Sequence, residues 1–365
     1  MILLIFILCF GFLIMAHEFG HFIVAKKNGV KVEEFGIGFP PKIFGKKIGE
    51  TVYSINAIPI GGFVRIFGEE GEASDNSHSF AAKKLWQKIS ILVAGVGANL
   101  LVAGLIFSFL FTIGFPLDIS NETLPLGKKA DIVITSIEKN SPAQVAGLKV
   151  GDIILKVRNT QGKEFTPERI ADFQKIVNEN KTPDLNLIIK RGKTTLNVKA
   201  TPRVVHAENV GPLGISLMEL AYYRYSFFKA IGEGFKHVAV LSKEMVLGLL
   251  QALKDWFVQK VTPQVTGPIG IASLSIEMAH IGWRYFFNFL AFLSTNLAIV
   301  NILPLPALDG GRVVLAIIEK LRKKPLPLKV VEAINGLGLL LLLLLSLIIA
   351  LKDVVHLHLL SFLIK

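Results

Sequence analysis

Four stretches of this sequence are long and apolar enough to cross a bilayer, and they limit its fold more than any other feature. They are about Ile2 to Ala25, Ile89 to Phe115, Tyr285 to Leu303 with a continuation to Ile318, and Ile334 to Leu351. A hydrocarbon core about 30 Å thick takes ~20 residues of helix, and inside it every backbone group must find its partner within the segment. The expected fold class is therefore an α-helical polytopic membrane protein with about four transmembrane helices. The 52% hydrophobic content and mean hydropathy of +0.54 agree, and 365 residues leave room for a soluble part.

Charge sets the orientation. The formal charge is +12, but the basic residues are scattered among acidic ones rather than gathered in a stripe with aromatics, so no nucleic-acid partner is expected. Lys320, Arg322, Lys323, Lys324 and Lys329 crowd one short connection without an acid, and Lys26, Lys27, Lys83, Lys84 and Lys88 flank the first two spans. The positive-inside rule makes both connections cytoplasmic, which leaves both termini and everything between the second and third spans outside. No basic residue precedes the apolar run after Met1, so a retained span is expected there rather than a cleaved signal. Cys9 is the single cysteine and lies inside that run, which excludes an intrachain disulfide and reads as a small lipid- or core-facing residue.

The first span contains His17-Glu18-Phe19-Gly20-His21. At 3.6 residues per turn the two histidines share one helix face, about 6 Å apart, where both imidazoles reach one metal. Glu18 sits on the adjoining edge, placed to take a proton from water at that metal. Ionisable side chains inside a membrane cost ~2.5 to 3.5 kcal/mol each to insert, so partners or a role are expected for all three.

The third span ends in Asn301-Ile302-Leu303-Pro304-Leu305-Pro306-Ala307-Leu308-Asp309-Gly310-Gly311. Two prolines break the helix and free backbone groups that belong only where protein or a cavity satisfies them. Asp309 lies near the cytoplasmic end of its span, as the histidines do in theirs. With His17 and His21 it makes the three protein ligands of a catalytic zinc; an N-cap role at the helix restart is compatible with that. In the second span Gly95-Val96-Gly97-Ala98-Asn99 places small residues for close helix approach and one Asn at membrane depth. For Asn99, hydrogen bonding between helices and a place in the site both stand open.

Thr51 to Phe67 is apolar, β-prone and broken by Pro59 and Gly61-Gly62, which reads as a hairpin or bent strand pair, with Gly36-Ile37-Gly38 and Pro40-Pro41 as flanking turns. Either it lies on the surface or it dips into the bilayer, where its edge is open to an extended peptide. Glu69 to His78 is polar and reads as a linker. Strand patterns at Asp131 to Ile137, Asp152 to Val157, Asp184 to Lys190 and Thr195 to Ala200, with a helix near Pro167 to Asn180, outline a soluble domain. Tyr225 to Phe257 has apolar residues at helical spacing interrupted by seven charges and reads as an amphipathic helix at the outer surface.

Ser141 to Asp152 (SPAQVAGLKVGD) resembles the signature of PDZ domains, in which Ser-Pro-Ala starts a short helix and Gly151-Asp152 leads into a strand. That likeness implies an α+β module for peptide binding or size gating. The order of elements resembles the site-2 protease family, specifically its bacterial RseP type: HExxH in the first span, Gly-xxx-Asn in the second, a PDZ domain outside and Asn-xx-Pro-x-Pro-x-Leu-Asp-Gly in the third. The resemblance covers nearly the whole length. It implies a zinc-dependent endopeptidase of a bacterial inner membrane that cuts single-pass membrane proteins, already trimmed by another protease, within their transmembrane segments. Anti-sigma factors and remnant signal peptides are such substrates.

Residue by residue, the resemblance makes His17, His21 and Asp309 the ligands of one Zn2+ and Glu18 the base. Asn301 and Asn99 become polar groups near the scissile peptide or its oxyanion, and Gly61, Gly62, Phe63 and Val64 part of a membrane-associated hairpin that receives the substrate. The domains expected are 1–115, a membrane region with a re-entrant hairpin at about 51–67; 116–205, a single PDZ domain where this type often has two; 206–282, an amphipathic surface segment; and 283–365, a second membrane region. An inactive PDZ scaffold with a structural metal is the alternative. A transporter would show repeated halves, and the sequence has no internal repeat.

Overall fold

The computed structural model describes residues 2–69, 75–118, 130–179, 184–192, 194–203, 211–260 and 266–356. It divides into two compact units, Met1–Leu110 with Ser226–Lys365, and Phe111–Tyr225. Among the described residues four helices have the length and apolarity to cross a membrane, at Ile2–Lys27, Leu85–Ile113, Trp283–Ile302 and Leu328–Val354. These fall on the four runs read from the sequence, so the molecule is a polytopic membrane protein.

The chain opens with α1 (Ile2–Lys27) and passes into β1 (Val32–Ile48) and β2 (Thr51–Ile66). The pairing differs from a hairpin within Thr51 to Phe67. The two halves of β2 do not pair with each other but lie on either side of the first half of β1: Gly36 pairs with Phe63 on one side and Ser54 on the other. The second half of β1 folds back onto the far side, with Lys46 opposite Tyr53. The lateral order is 62–66, 32–37, 51–56, 42–48. Gly36-Ile37-Gly38, expected as a turn, is thus strand interior. The physical reason is the Phe63 ring: a Cβ on Gly36 would sit 2.4 Å from its edge, so the glycine is there to admit an aromatic neighbour. Buried Thr51 and Asn56 hydrogen-bond the Val32 and Gly38 carbonyls and lock the layers. The linker expected at Glu69 to His78 lies partly outside the described residues, at 70–74.

Next, α2 (Leu85–Ile113) leads to the second unit, with β3 (Phe115–Asp118), β4 (Asp131–Ile137), α3 (Pro142–Val145), β5 (Ile153–Arg158), β6 (Glu164–Phe165), α4 (Ile170–Glu179), β7 (Leu185–Arg191), β8 (Thr194–Ala200) and β9 (Ile215–Tyr223). The sheet runs β3-β9-β4-β5-β7-β8, with β6 beside β5. Alternation places Ile132, Ile134, Leu185, Leu187 and Ile189 on one face over Phe173 and Val177 of α4. Fully burying each such side chain contributes roughly 1.5–3 kcal/mol. Strand β9 lies past position 205, where the sequence reading ends the domain. It falls in the segment 206–282 expected as amphipathic surface, and its Glu219 is buried and caps α4 by accepting from the Ile170 N–H at 2.7 Å.

The first unit resumes with α5 (Phe227–Lys254), α6 (Pro268–Ile281), α7 (Trp283–Ile302), α8 (Asp309–Arg322) and α9 (Leu328–His356). Helix α5 carries the amphipathic pattern expected for Tyr225 to Phe257. Helix α6 falls inside the segment expected to be surface; at 14 residues it is too short for a span signal, yet it packs on α1, α7 and α9. The expected continuation of the third span to Ile318 is a separate helix. Pro304 and Pro306 interrupt the chain, and α8 restarts against the end of α7, with a Gly310 Cβ position only 2.1 Å from the Ile302 carbonyl oxygen. Helix α9 leaves most of its leucines exposed, as a lipid-facing span does.

Candidate metal centre

Helix α1 places His17 and His21 one turn apart, both buried, with ring centroids 4.7 Å apart and planes at 82°. Across from them Asp309 opens α8. His17 Nε2 lies 3.1 Å from His21 Nε2, and Asp309 Oδ2 is 3.0 Å from the first and 3.3 Å from the second. Ligand atoms about 2.05 Å from a tetrahedral zinc stand roughly 3.3 Å apart, so this triangle has the dimensions of three zinc ligands. Asp309 Oδ2 is buried without a hydrogen bond, and the only described group of three metal-binding side chains is this one. An unsatisfied carboxylate oxygen facing two ring nitrogens fits a cation between them.

The histidines are fixed from behind. His21 Nδ1 lies 2.7 Å from the Ile91 carbonyl of α2, an acceptor only, so Nδ1 carries the hydrogen and Nε2 keeps its lone pair for the metal. The fit is tight because α2 passes close by. A Cβ on Gly95 would lie 2.4 Å from His21 Nε2 and 2.7 Å from His17 Nε2, in the ligand space itself. Only a bare backbone leaves that space open.

Glu18 stands beside the triangle, and its Oε2 accepts a hydrogen bond from the Val64 N–H at 3.1 Å. This bond ties the carboxylate to the segment 62–66, which is the lateral edge of its sheet. Gly61 abuts Ile14 and Gly62 approaches Met15, so Gly61 to Val64 runs along α1 toward Glu18. Phe63 turns away over Gly36 and packs within the sheet.

The two asparagines separate. Asn301 Nδ2 is 3.4 Å from His17 Nε2, on the metal side. Asn99 is fully buried with Nδ2 3.4 Å from His17 Nδ1, on the opposite side of the ring, and its carbonyl accepts from Ser294 Oγ at 2.8 Å. Its place is behind a histidine and between helices. Sequence reasoning missed Ile91, whose contribution is a backbone carbonyl with no residue signature, and took Gly95 for general helix packing.

A helical membrane unit that converges an HExxH pair and a distant aspartate on one point, with a glutamate alongside, defines a membrane zinc metalloprotease. The family model for Peptidase family M50 matches residues 5–345, so the chain belongs to that family, the site-2 proteases. A Clostridium perfringens protein classed provisionally as a zinc metalloprotease is 36% identical over 350 residues, covering 96% of this chain and 97% of its own. The Bacillus subtilis regulator of sigma-W protease RasP is 29% identical over 435 residues, covering 97% of this chain and 98% of its own. The chloroplastic membrane metalloprotease ARASP of Arabidopsis thaliana is 29% identical over 352 residues, covering 94% and 77%.

Proposed function

We propose that this protease hydrolyses a peptide bond within or next to the transmembrane segment of single-pass membrane proteins. His17, His21 and Asp309 hold the zinc, and Glu18 is the general base. The observation that carries the reading is the triangle of ligand atoms 3.0 to 3.3 Å apart beside Glu18, inside an apolar unit. Zinc bound there supplies a Lewis acid that polarises a carbonyl and acidifies water. Glu18 accepts a proton from the water that adds to the peptide carbonyl and delivers it to the amide nitrogen as the C–N bond breaks. Asn301 offers its amide on the metal side, within reach of the oxyanion.

A substrate helix hides its carbonyls in its own hydrogen bonds and must unwind first. Pairing with the edge 62–66 offsets the loss, and Glu18 already takes a hydrogen bond from that edge at Val64. Orientation follows from the basic connections: the site lies toward the cytoplasmic side of a bacterial inner membrane, with the termini and the PDZ-like domain outside. In that domain a groove of about 220 Å3 lies between α4 and β9, lined by Phe173, Val177, Leu213 and Leu217 among others. It suits an extended peptide or trimmed tail. The name of RasP favours an anti-sigma factor as one substrate, with remnant signal peptides as another class.

The test is Glu18→Gln against a membrane-spanning reporter in reconstituted vesicles. Expected is a loss of turnover of ~10²-fold or more with zinc content unchanged. Turnover at the wild-type rate overturns the reading. Zinc retained without any turnover by the wild type, toward any trimmed membrane-spanning substrate, would instead favour a scaffold with a structural metal.

A further inference from the structure

The loop that delivers Asp309 runs through six residues, 303–308, at membrane depth, and its backbone donors can be followed one by one. Pro304 and Pro306 have none. The N–H of Leu303 goes to the Val300 carbonyl, that of Leu305 to the Leu303 carbonyl at 2.7 Å, and that of Leu308 to the Leu305 carbonyl. Of these donors only that of Ala307 goes to a side chain rather than a backbone carbonyl. Ala307 sits two residues before Asp309 with φ +70, a left-handed conformation that a residue with a Cβ adopts at a cost. Its N–H is taken by Asn335 Oδ1 of α9 at 3.3 Å.

Three residues further along the same helix face, Gly338 is buried between exposed Leu337 and Leu339. A Cβ there would lie 2.4 Å from Pro306 Cβ and 2.8 Å from the Pro306 carbonyl. Gly336, on the same helix, has nothing within 4 Å of the same position. Besides its contact with α6, helix α9 therefore touches the ligand loop at two adjacent points: an amide that takes the Ala307 donor and a glycine that seats its second proline.

We propose that Asn335 and Gly338 are positioning residues for the metal centre, holding Pro306-Ala307 so that Asp309 reaches His17 and His21. The proposal rests on the reading of those three side chains as the zinc ligands. In hydrocarbon a freed N–H has no water to turn to, so loss of the Asn335 acceptor drives the loop to another turn, and Asp309 moves with it. A branched side chain at Gly338 pushes Pro306 in the same way. Neither residue touches the metal or Glu18, so the effect appears in metal binding and geometry ahead of chemistry.

The experiment uses the full chain in nanodiscs, with zinc affinity by chelator competition and the visible absorption of the Co2+-substituted protein. Asp309→Asn first sets the signature of a lost third ligand. Asn335→Ala and Gly338→Val are expected to weaken metal binding ~10- to 100-fold and to move the Co2+ bands toward those of Asp309→Asn. Asn335→Asp, which keeps an acceptor oxygen at the same reach, restores the wild-type spectrum, and Gly336→Val leaves affinity and spectrum unchanged. Should Gly338→Val fail to fold, Gly338→Ala places a single methyl against Pro306 and is read the same way. Wild-type affinity and spectrum in both Asn335→Ala and the Gly338 variant, with Asp309→Asn impaired, overturn the proposal and leave the ligand assignment standing. Wild-type behaviour of Asp309→Asn overturns the ligand assignment and the proposal with it.

Discussion

At the scale of single residues, the site depends as much on an atom left out as on the groups that ligate. Gly95 keeps the ligand space empty, and a methyl there would lie 2.4 Å from His21 Nε2. Gly95→Ala is expected to lower bound zinc and activity together, while Gly97→Ala, with nothing within 4 Å, stays at wild type; elemental analysis of the purified protein decides it. In the second unit Asp152 is fully buried and held by two bonds of 2.7 Å from Arg191 and one of 2.8 Å from the Lys149 N–H. Arg191 is 31% exposed and keeps its bond to the Gly147 carbonyl, so Asp152→Ala should cost about 1–3 kcal/mol in denaturant unfolding, from the lost charge-assisted hydrogen bonds.

Lys156 and then Arg158 hydrogen-bond the Glu164 carboxylate and hold its pKa down at about 2. A depressed carboxylate stabilises the fold above its ordinary pKa, near 4.5, and the contribution disappears as pH falls toward 2. The acid arm of the domain's unfolding should therefore flatten in Glu164→Gln and at about 0.5 M salt, because the pair is exposed and screened. The sequence showed His17, Glu18, His21 and Asp309 because their side chains form recognisable motifs. It was silent on Ile91 and Val64 N–H, whose backbone groups any residue would supply.

At the scale of elements, the spans were legible because run length alone signals them, whereas the short α6 carries no such signal. What fixes α6 is a contact from far along the chain: Asp353 of α9 accepts from the N–H groups of Gly267 and Gly270 at 3.3 and 2.8 Å, capping the helix from another span. Asp353→Ala should destabilise α6 by ~1 kcal/mol, seen as faster amide exchange over 268–281 with exchange in α1 unchanged. The lateral order of the β1–β2 sheet is not legible for a related reason. Thr51 to Phe67 looks like a self-contained hairpin, since Pro59 and the glycines mark a reversal, but reversal does not say which strand lies between the two arms. Gly36 answers that only once Phe63 is seen over it.

At the scale of the whole molecule, the order of elements along the chain was readable because each carries a local pattern, while the reach of the soluble unit to Tyr225 was not. Strand β9 is separated from β8 by residues without a strand pattern and enters the sheet between β3 and β4, a non-local insertion invisible to periodicity. The orientation is open to a direct measurement. In a Cys9→Ser background, Lys139→Cys is expected to react with a membrane-impermeant maleimide from outside intact cells and Lys324→Cys only after lysis. The reverse pattern would invert the topology.

The side chains of the candidate metal centre are far apart in the chain, His17 and His21 in its first helix and Asp309 nearly three hundred residues later. During synthesis the two histidines enter the membrane first, and at ~5 to 20 residues per second the aspartate follows only roughly 15 to 60 s later. Until then the nascent chain offers the two imidazoles without the aspartate that faces them. A chain cut short before that point lacks one corner of the triangle. The triangle of side chains is thus assembled only after residue 309 has been made.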